Sequence, residues 1–137
     1  MVKIQEKIIM AFFPPFLLYL FQYLAQKFFG IYFLYPNFDI PMHLLGGFTM
    51  AMTGLSLLTI AEDQKWLLLK KNPAFVRILF VVSFVALMAV LWEFHEFLMD
   101  HFLGTHMQPS TFDTMKDLFL GLLGAVIGIS ALSKKSL

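Results

Sequence analysis

Seven residues of this 137-residue chain have the types and spacings for ion or proton chemistry. Asp39 and His43 are four apart, Asp113 and Asp117 are four apart, and Glu93, Glu96 and Asp100 are spaced three and four. On an α-helix, positions three, four and seven apart share a face. Each set therefore forms one ionisable stripe. A mixed carboxylate and imidazole shell without sulfur suits Zn, Mn or Fe, whereas a carboxylate-only shell suits Ca or Mg. We expect a divalent metal held by His43, Glu93, Glu96 and Asp117, with Asp39 and Asp100 as further ligands. Asp113 would be a ligand or a catalytic base toward an activated water. His95 points away from the Glu93/Glu96 stripe. His101 and His106 fall in a loop, where solvated histidines are commoner than ligands.

Other chemistry is excluded or unsupported. There are no cysteines, so disulfides, thiolate metal sites and Cys nucleophiles drop out. The chain has no glycine-rich phosphate loop, no Gly-x-Ser-x-Gly elbow and no His-Glu-x-x-His. A formal net charge of +1 gives no electrostatic affinity for nucleic acid.

The elements that must position these residues are membrane helices. The chain is 59% hydrophobic and 14% charged, whereas soluble domains run nearer one quarter charged. A short chain cannot hide that much apolar surface in a water-facing core. Crossing the hydrocarbon takes ~20 helical residues, and four stretches qualify: 8–29, 42–61, 76–98 and 113–132. Strands are dismissed, because a helix satisfies its own backbone in lipid. Pro14 and Pro15 either kink the first span or begin it; in the second case it runs on to about Tyr35. Lys3 and Lys7 could open a secretory leader, but no small-x-small cleavage site follows, so we read a retained span.

Lys3 and Lys7 precede span one, Lys65, Lys70, Lys71 and Arg77 lie between spans two and three, and Lys134 and Lys135 follow span four. The other two loops contain no Lys or Arg. The positive-inside rule then puts both termini in the cytoplasm, the parity that four spans require. The expected fold is a single-domain, all-α integral membrane protein, a four-helix transmembrane bundle with N-in/C-in topology.

In that bundle six of the nine carboxylates share one level near the extracytoplasmic face, against Lys27 and Lys116. A buried unpaired carboxylate costs several kcal/mol. Such a group must be paired, protonated, wetted or bound to a cation. The stripes continue inward as Gly47 and Gly54 in span two, and as Gly121, Gly124 and Gly128 in span four. Small residues let membrane helices approach closely, so spans two and four should pack together. Span one contributes a polar stripe of Tyr19, Gln22, Tyr23 and Gln26, which should face the bundle interior. Plainer readings stay open: Asp39 caps span two, Asp113 forms a capping box with Ser110, Asp100 sits in water, and the two lysines neutralise part of the set. Trp92, Tyr32 and Tyr35 read as interfacial anchors.

Three motifs resemble a known family. Asp39-Ile-Pro-Met-His43-Leu-Leu-Gly46-Gly47-Phe48 resembles the DxxxHxxGG/F opening of VanZ-like small membrane proteins and their YjdF-type relatives. Trp92-Glu93-Phe-His-Glu96-Phe-Leu-Met-Asp100 resembles their Trp/Gly-Glu-x-x-Glu segment, and the stretch from Asp113 to Ala125 is similar to their closing DTxxDLxxxxxGA. The resemblance implies a polytopic bacterial or archaeal membrane protein, multi-pass in the plasma (inner) membrane, of a family with mostly unassigned activity. The family takes its name from a member linked to teicoplanin resistance. VanZ-type sequences often close the third motif on Asn or Gln and Arg. This chain has Asp117 and no nearby Arg, which sets it nearer the uncharacterised branch.

Three functions follow as expectations. The first is metal-dependent chemistry at the outer leaflet on a lipid or lipid-linked substrate. The second is a non-enzymatic assembly protein with a structural cation or salt-bridged polar core, in homo- or hetero-oligomers. The third, ion or proton transport, is weaker, because the inner halves of the spans carry no ionisable chain to complete a path.

Overall fold

The computed structural model describes residues 3–66 and 74–132. The first helix, α1, covers Ile4–Phe29, and a short helix α2 covers Ile31–Leu34. A 3-10 turn over Pro36–Phe38 leads into α3 (Asp39–Asp63), followed by α4 (Ala74–Leu103) and α5 (Thr111–Leu132). Four of these segments are long and apolar enough to cross a membrane: Ile4–Phe29, Pro36–Asp63, Ala74–Leu103 and Thr111–Leu132. No strand occurs among the described residues. The all-α four-helix membrane bundle is therefore the fold. The basic positions Lys70, Lys71, Lys134 and Lys135, on which the orientation partly rests, lie outside the described residues.

Each helix outruns the apolar stretch that announced it, because a helix continues past the hydrocarbon into the polar interface. Asp39, Asp100 and Asp113 thus stand inside helices. Pro14 and Pro15 do not begin span one; both lie inside α1, which continues through them. A proline at 15 removes the N–H that would meet the Ala11 carbonyl. The Thr53 hydroxyl of α3 donates to that carbonyl instead, at 2.8 Å, and Thr53 is fully buried. The backbone gap becomes a tie between α1 and α3. Nor does span one run on to Tyr35: it stops at Gly30, whose φ of +59° is left-handed. That conformation suits glycine.

α3 is the central helix. It packs most extensively on α5, and it also meets α1 and α4; α4 closes the bundle against α5. The α3–α5 seam was legible in the glycines. A Cβ on Gly47 would collide with the Gly121 carbonyl, and one on Gly124 with the Leu44 carbonyl. Backbone touches backbone here. Further inward Ala51, Leu58, Val81, Val85, Ala125 and Ile129 form the apolar core. Large apolar side chains such as Phe13, Phe16, Phe33, Phe102 and Phe112 are exposed on the outside, as a lipid-facing surface requires.

Candidate functional site

One turn beyond the Gly47–Gly121 contact lie His43 and Asp117, each four residues before its glycine. The close seam therefore forces these two side chains together. His43 Nε2 lies 3.2 Å from Asp39 Oδ1 and 3.9 Å from Asp117 Oδ2. Asp39 is the first residue of α3, but no side-chain capping bond forms at that helix start. Its carboxylate holds His43 instead. Lys116, next to Asp117, reaches Asp113 Oδ1 at 2.5 Å, Asp117 Oδ1 at 3.5 Å and Asp39 Oδ2 at 4.0 Å.

α4 brings Glu93 and Glu96 to the same place, and both are buried, at 7% and 4% exposure. Trp92 Nε1 donates to Glu96 Oε1 at 2.8 Å, and Gln108 Nε2 donates to Glu93 Oε2 at 2.7 Å. Two groups of potential ligands result, Asp39–His43–Asp117 and His43–Glu93–Glu96, each with its ligand atoms within 4.8 Å of one another. His43 belongs to both. Asp117 is only 2% exposed, and its Oδ1 has no hydrogen-bond partner among the described residues. At 3.5 Å the Lys116 ammonium is an ion-pair neighbour without hydrogen-bond geometry. Oriented carboxylates and an imidazole, unevenly neutralised and screened from water, can hold a cation or share a proton.

Asp100 and Asp113 stand outside both groups. Asp100 is not left to water: it accepts from Thr105 Oγ1 (2.6 Å), the Met107 N–H (2.6 Å) and the Gln108 N–H (2.8 Å). It thereby folds the α4–α5 loop and delivers Gln108 to Glu93. Asp113 anchors Lys116, and its N–H donates to Ser110 Oγ at 3.1 Å, half of the expected capping box. Lys27 does not serve the cluster; its ammonium lies 5.6 Å from the centre of the Tyr23 ring. His95, His101 and His106 are exposed and in neither group.

The span-one stripe divides. Tyr19 and Gln22 line a cavity of about 340 Å³ that His43 also lines, between α1, α3 and α4. Tyr23 and Gln26 face outward. Two of the expected interfacial anchors belong to the site. Trp92 holds Glu96, and the Tyr32 hydroxyl is buried without a hydrogen-bond partner among the described residues. Burial raises the Tyr32 phenol above the usual tyrosine range, and the charges of Asp39, Glu96 and Asp117 add to the effect. Gln108 carried no sequence signal, because only the path of its loop aims it at Glu93.

Residues 8–135 match the family model described as Predicted membrane protein (DUF2238). The chain belongs to this family. The match takes in every residue of the two ligand groups and almost the whole of the first span, and the family's description extends to membrane residence alone. No curated protein and no solved structure matches the chain.

Proposed function

We propose that this family member binds a divalent cation between α3, α4 and α5. Zn, Mn or Fe is favoured over Ca or Mg by the imidazole in the shell. His43 with Asp117 and Asp39, or with Glu93 and Glu96, supplies the ligands. The observation that carries the reading is Asp117 Oδ1, buried without a hydrogen bond among the described residues, beside an imidazole that both ligand groups share. A buried carboxylate oxygen without a donor is costly, and a bound cation would remove that cost. Lys116 is already divided among three carboxylates.

The protein is a multi-pass membrane protein, and we assign the cluster to the extracytoplasmic side of a prokaryotic cell membrane. The distribution of Lys and Arg and the VanZ-like and YjdF-type motifs support that assignment. The cavity reaching His43 favours chemistry on a lipid or lipid-linked substrate, with the metal polarising an oxygen or activating water. Asp113, held by Lys116, serves in this reading to position that lysine. A second reading is a structural cation that locks the bundle, favoured by the backbone-close α3–α5 seam directly beneath the cluster. Transport has less support: among the described residues the buried carboxylate at the far end, Glu62, is matched by Arg77.

Elemental analysis of purified protein tests the proposal. About one metal per chain is expected in the wild type, falling at least tenfold in His43→Ala and Asp117→Asn. A wild type without metal, whose stability does not respond to added Zn or Mn, would overturn it.

A further inference from the structure

The cavity beside His43 has a gradient of polarity along its length. At the end near the acidic cluster its lining includes Gln22, His43 and His95; toward the opposite end it includes Leu18, Met50, Val85 and Met88. About 10 Å of helix separates His43 from Met50. Thr49 also lines the cavity, but its hydroxyl is turned back onto the Leu45 and Gly46 carbonyls at 2.9 and 3.1 Å. The deep part therefore presents almost no polar atom.

Gly46 gives a second, independent observation. It lies in the interior of α3, where glycine costs roughly 1 kcal/mol relative to alanine. The other glycines of this helix explain themselves: Gly47 meets the Gly121 backbone, and Gly54 meets Phe84 and Val81. A Cβ on Gly46 would meet nothing within 4 Å. Neither packing nor a left-handed backbone requires glycine there. What Gly46 does is line the cavity and leave it wide.

From this we infer that the cavity is a binding site for one acyl chain of a membrane phospholipid, whose polar head lies at the level of His43, Gln22 and His95. The volume falls within the range of small-molecule sites, about 300–1,000 Å³. The apolar walls of the deep part offer water few hydrogen-bond partners, and at this depth in a bilayer the available apolar molecules are lipid tails. The gradient has the same sense as a lipid in the leaflet on the acidic side, head beside the cluster and tail toward the midplane. Methionines at 50 and 88 give the walls the adaptability that a flexible chain needs. The inference narrows the lipid substrate of the cation reading to a phospholipid held by its acyl chain, and it rests on that reading only for the polar head.

Trp92 lines the cavity and provides the probe. With Trp66→Phe as background, Trp92 is the sole tryptophan. The protein in detergent micelles is titrated with phosphatidylcholine brominated on its acyl chain, and Trp92 emission is followed. Saturable quenching is expected. Gly46→Phe should weaken the apparent affinity about tenfold by filling the cavity from α3. Met88→Phe should do the same from α4, so the test survives misfolding of either variant. Leu45→Phe, on the exposed neighbouring surface, should leave the affinity unchanged. Quenching that only tracks bulk lipid, or an equal midpoint in folded Gly46→Phe and Met88→Phe, overturns the inference. Metal measured on the same samples separates the two readings. Metal without saturable quenching sinks the lipid site alone, and saturable, Gly46-dependent quenching without metal sinks the cation site alone.

Discussion

Both ends of the bundle bury carboxylates, and they neutralise them differently. At one end Glu62, its side chain 1% exposed, meets Arg77 Nη1 through both oxygens, at 3.1 and 3.2 Å. Among the described residues this carboxylate has its own guanidinium. At the other end Asp39, Glu93, Glu96, Asp113 and Asp117 gather around Lys116 and His43, and one oxygen of Asp117 has an ion-pair neighbour but no hydrogen bond among the described residues. The matched pair joins α3 to α4. The unmatched cluster stores repulsion that a ligand can relieve, and that imbalance, more than the number of acidic residues, marks it as a site.

The contrast can be broken in several places, beginning with the seam that creates the cluster. Gly47→Leu or Gly124→Leu drives a side chain into the facing backbone and should cost ~3 kcal/mol or more. Unfolding in mixed micelles should show a large loss of stability, with loss of metal following it. At the matched end, Arg77→Leu strands Glu62 and should cost roughly 3 kcal/mol. The double variant Glu62→Leu/Arg77→Leu should regain most of that loss, and a double-mutant cycle reads the coupling directly. Between the two ends, Thr53→Val leaves the Ala11 carbonyl without its donor. A loss of about 1–2 kcal/mol is expected there, from a neutral contact.

The smallest effect has the opposite sign and sharpens the comparison most. In chelator, Asp117→Asn removes one negative charge from the unmatched cluster and should stabilise the protein by roughly 1 kcal/mol. Neutralising a carboxylate should therefore help at the acidic end, while leaving one uncompensated hurts at the other. A thermal melt that shows destabilisation by Asp117→Asn in chelator would mean the cluster is already balanced.

Much of this was legible in the sequence, for a simple reason. The i, i+4 spacings of Asp39 with His43, and of Asp117 with Gly121, are properties of a single helix, and the glycines name the faces that meet. The α3–α5 seam and the His43–Asp117 approach followed from these. What the sequence did not disclose depends on distant or irregular segments. The donor for the Ala11 carbonyl is Thr53, 42 residues away. Gln108 and Tyr32 reach the site from a loop and from a four-residue helix, where no periodicity reports direction. Asp100 shares the Glu93/Glu96 spacing, yet its oxygens are taken by three donors from the following loop. Spacing gives the face of a helix; it does not give the competitor waiting beyond its end.

The central claim, a cation held at the unmatched cluster, is tested most directly by anomalous diffraction from crystals grown with Zn or Mn. An ion about 2.0–2.2 Å from a ring nitrogen of His43, with carboxylate oxygens of Asp117 and Asp39 or of Glu93 and Glu96 completing its shell, is the predicted result. An anomalous map without a peak at the cluster, with Lys116 and His43 as its only cations, would contradict the account.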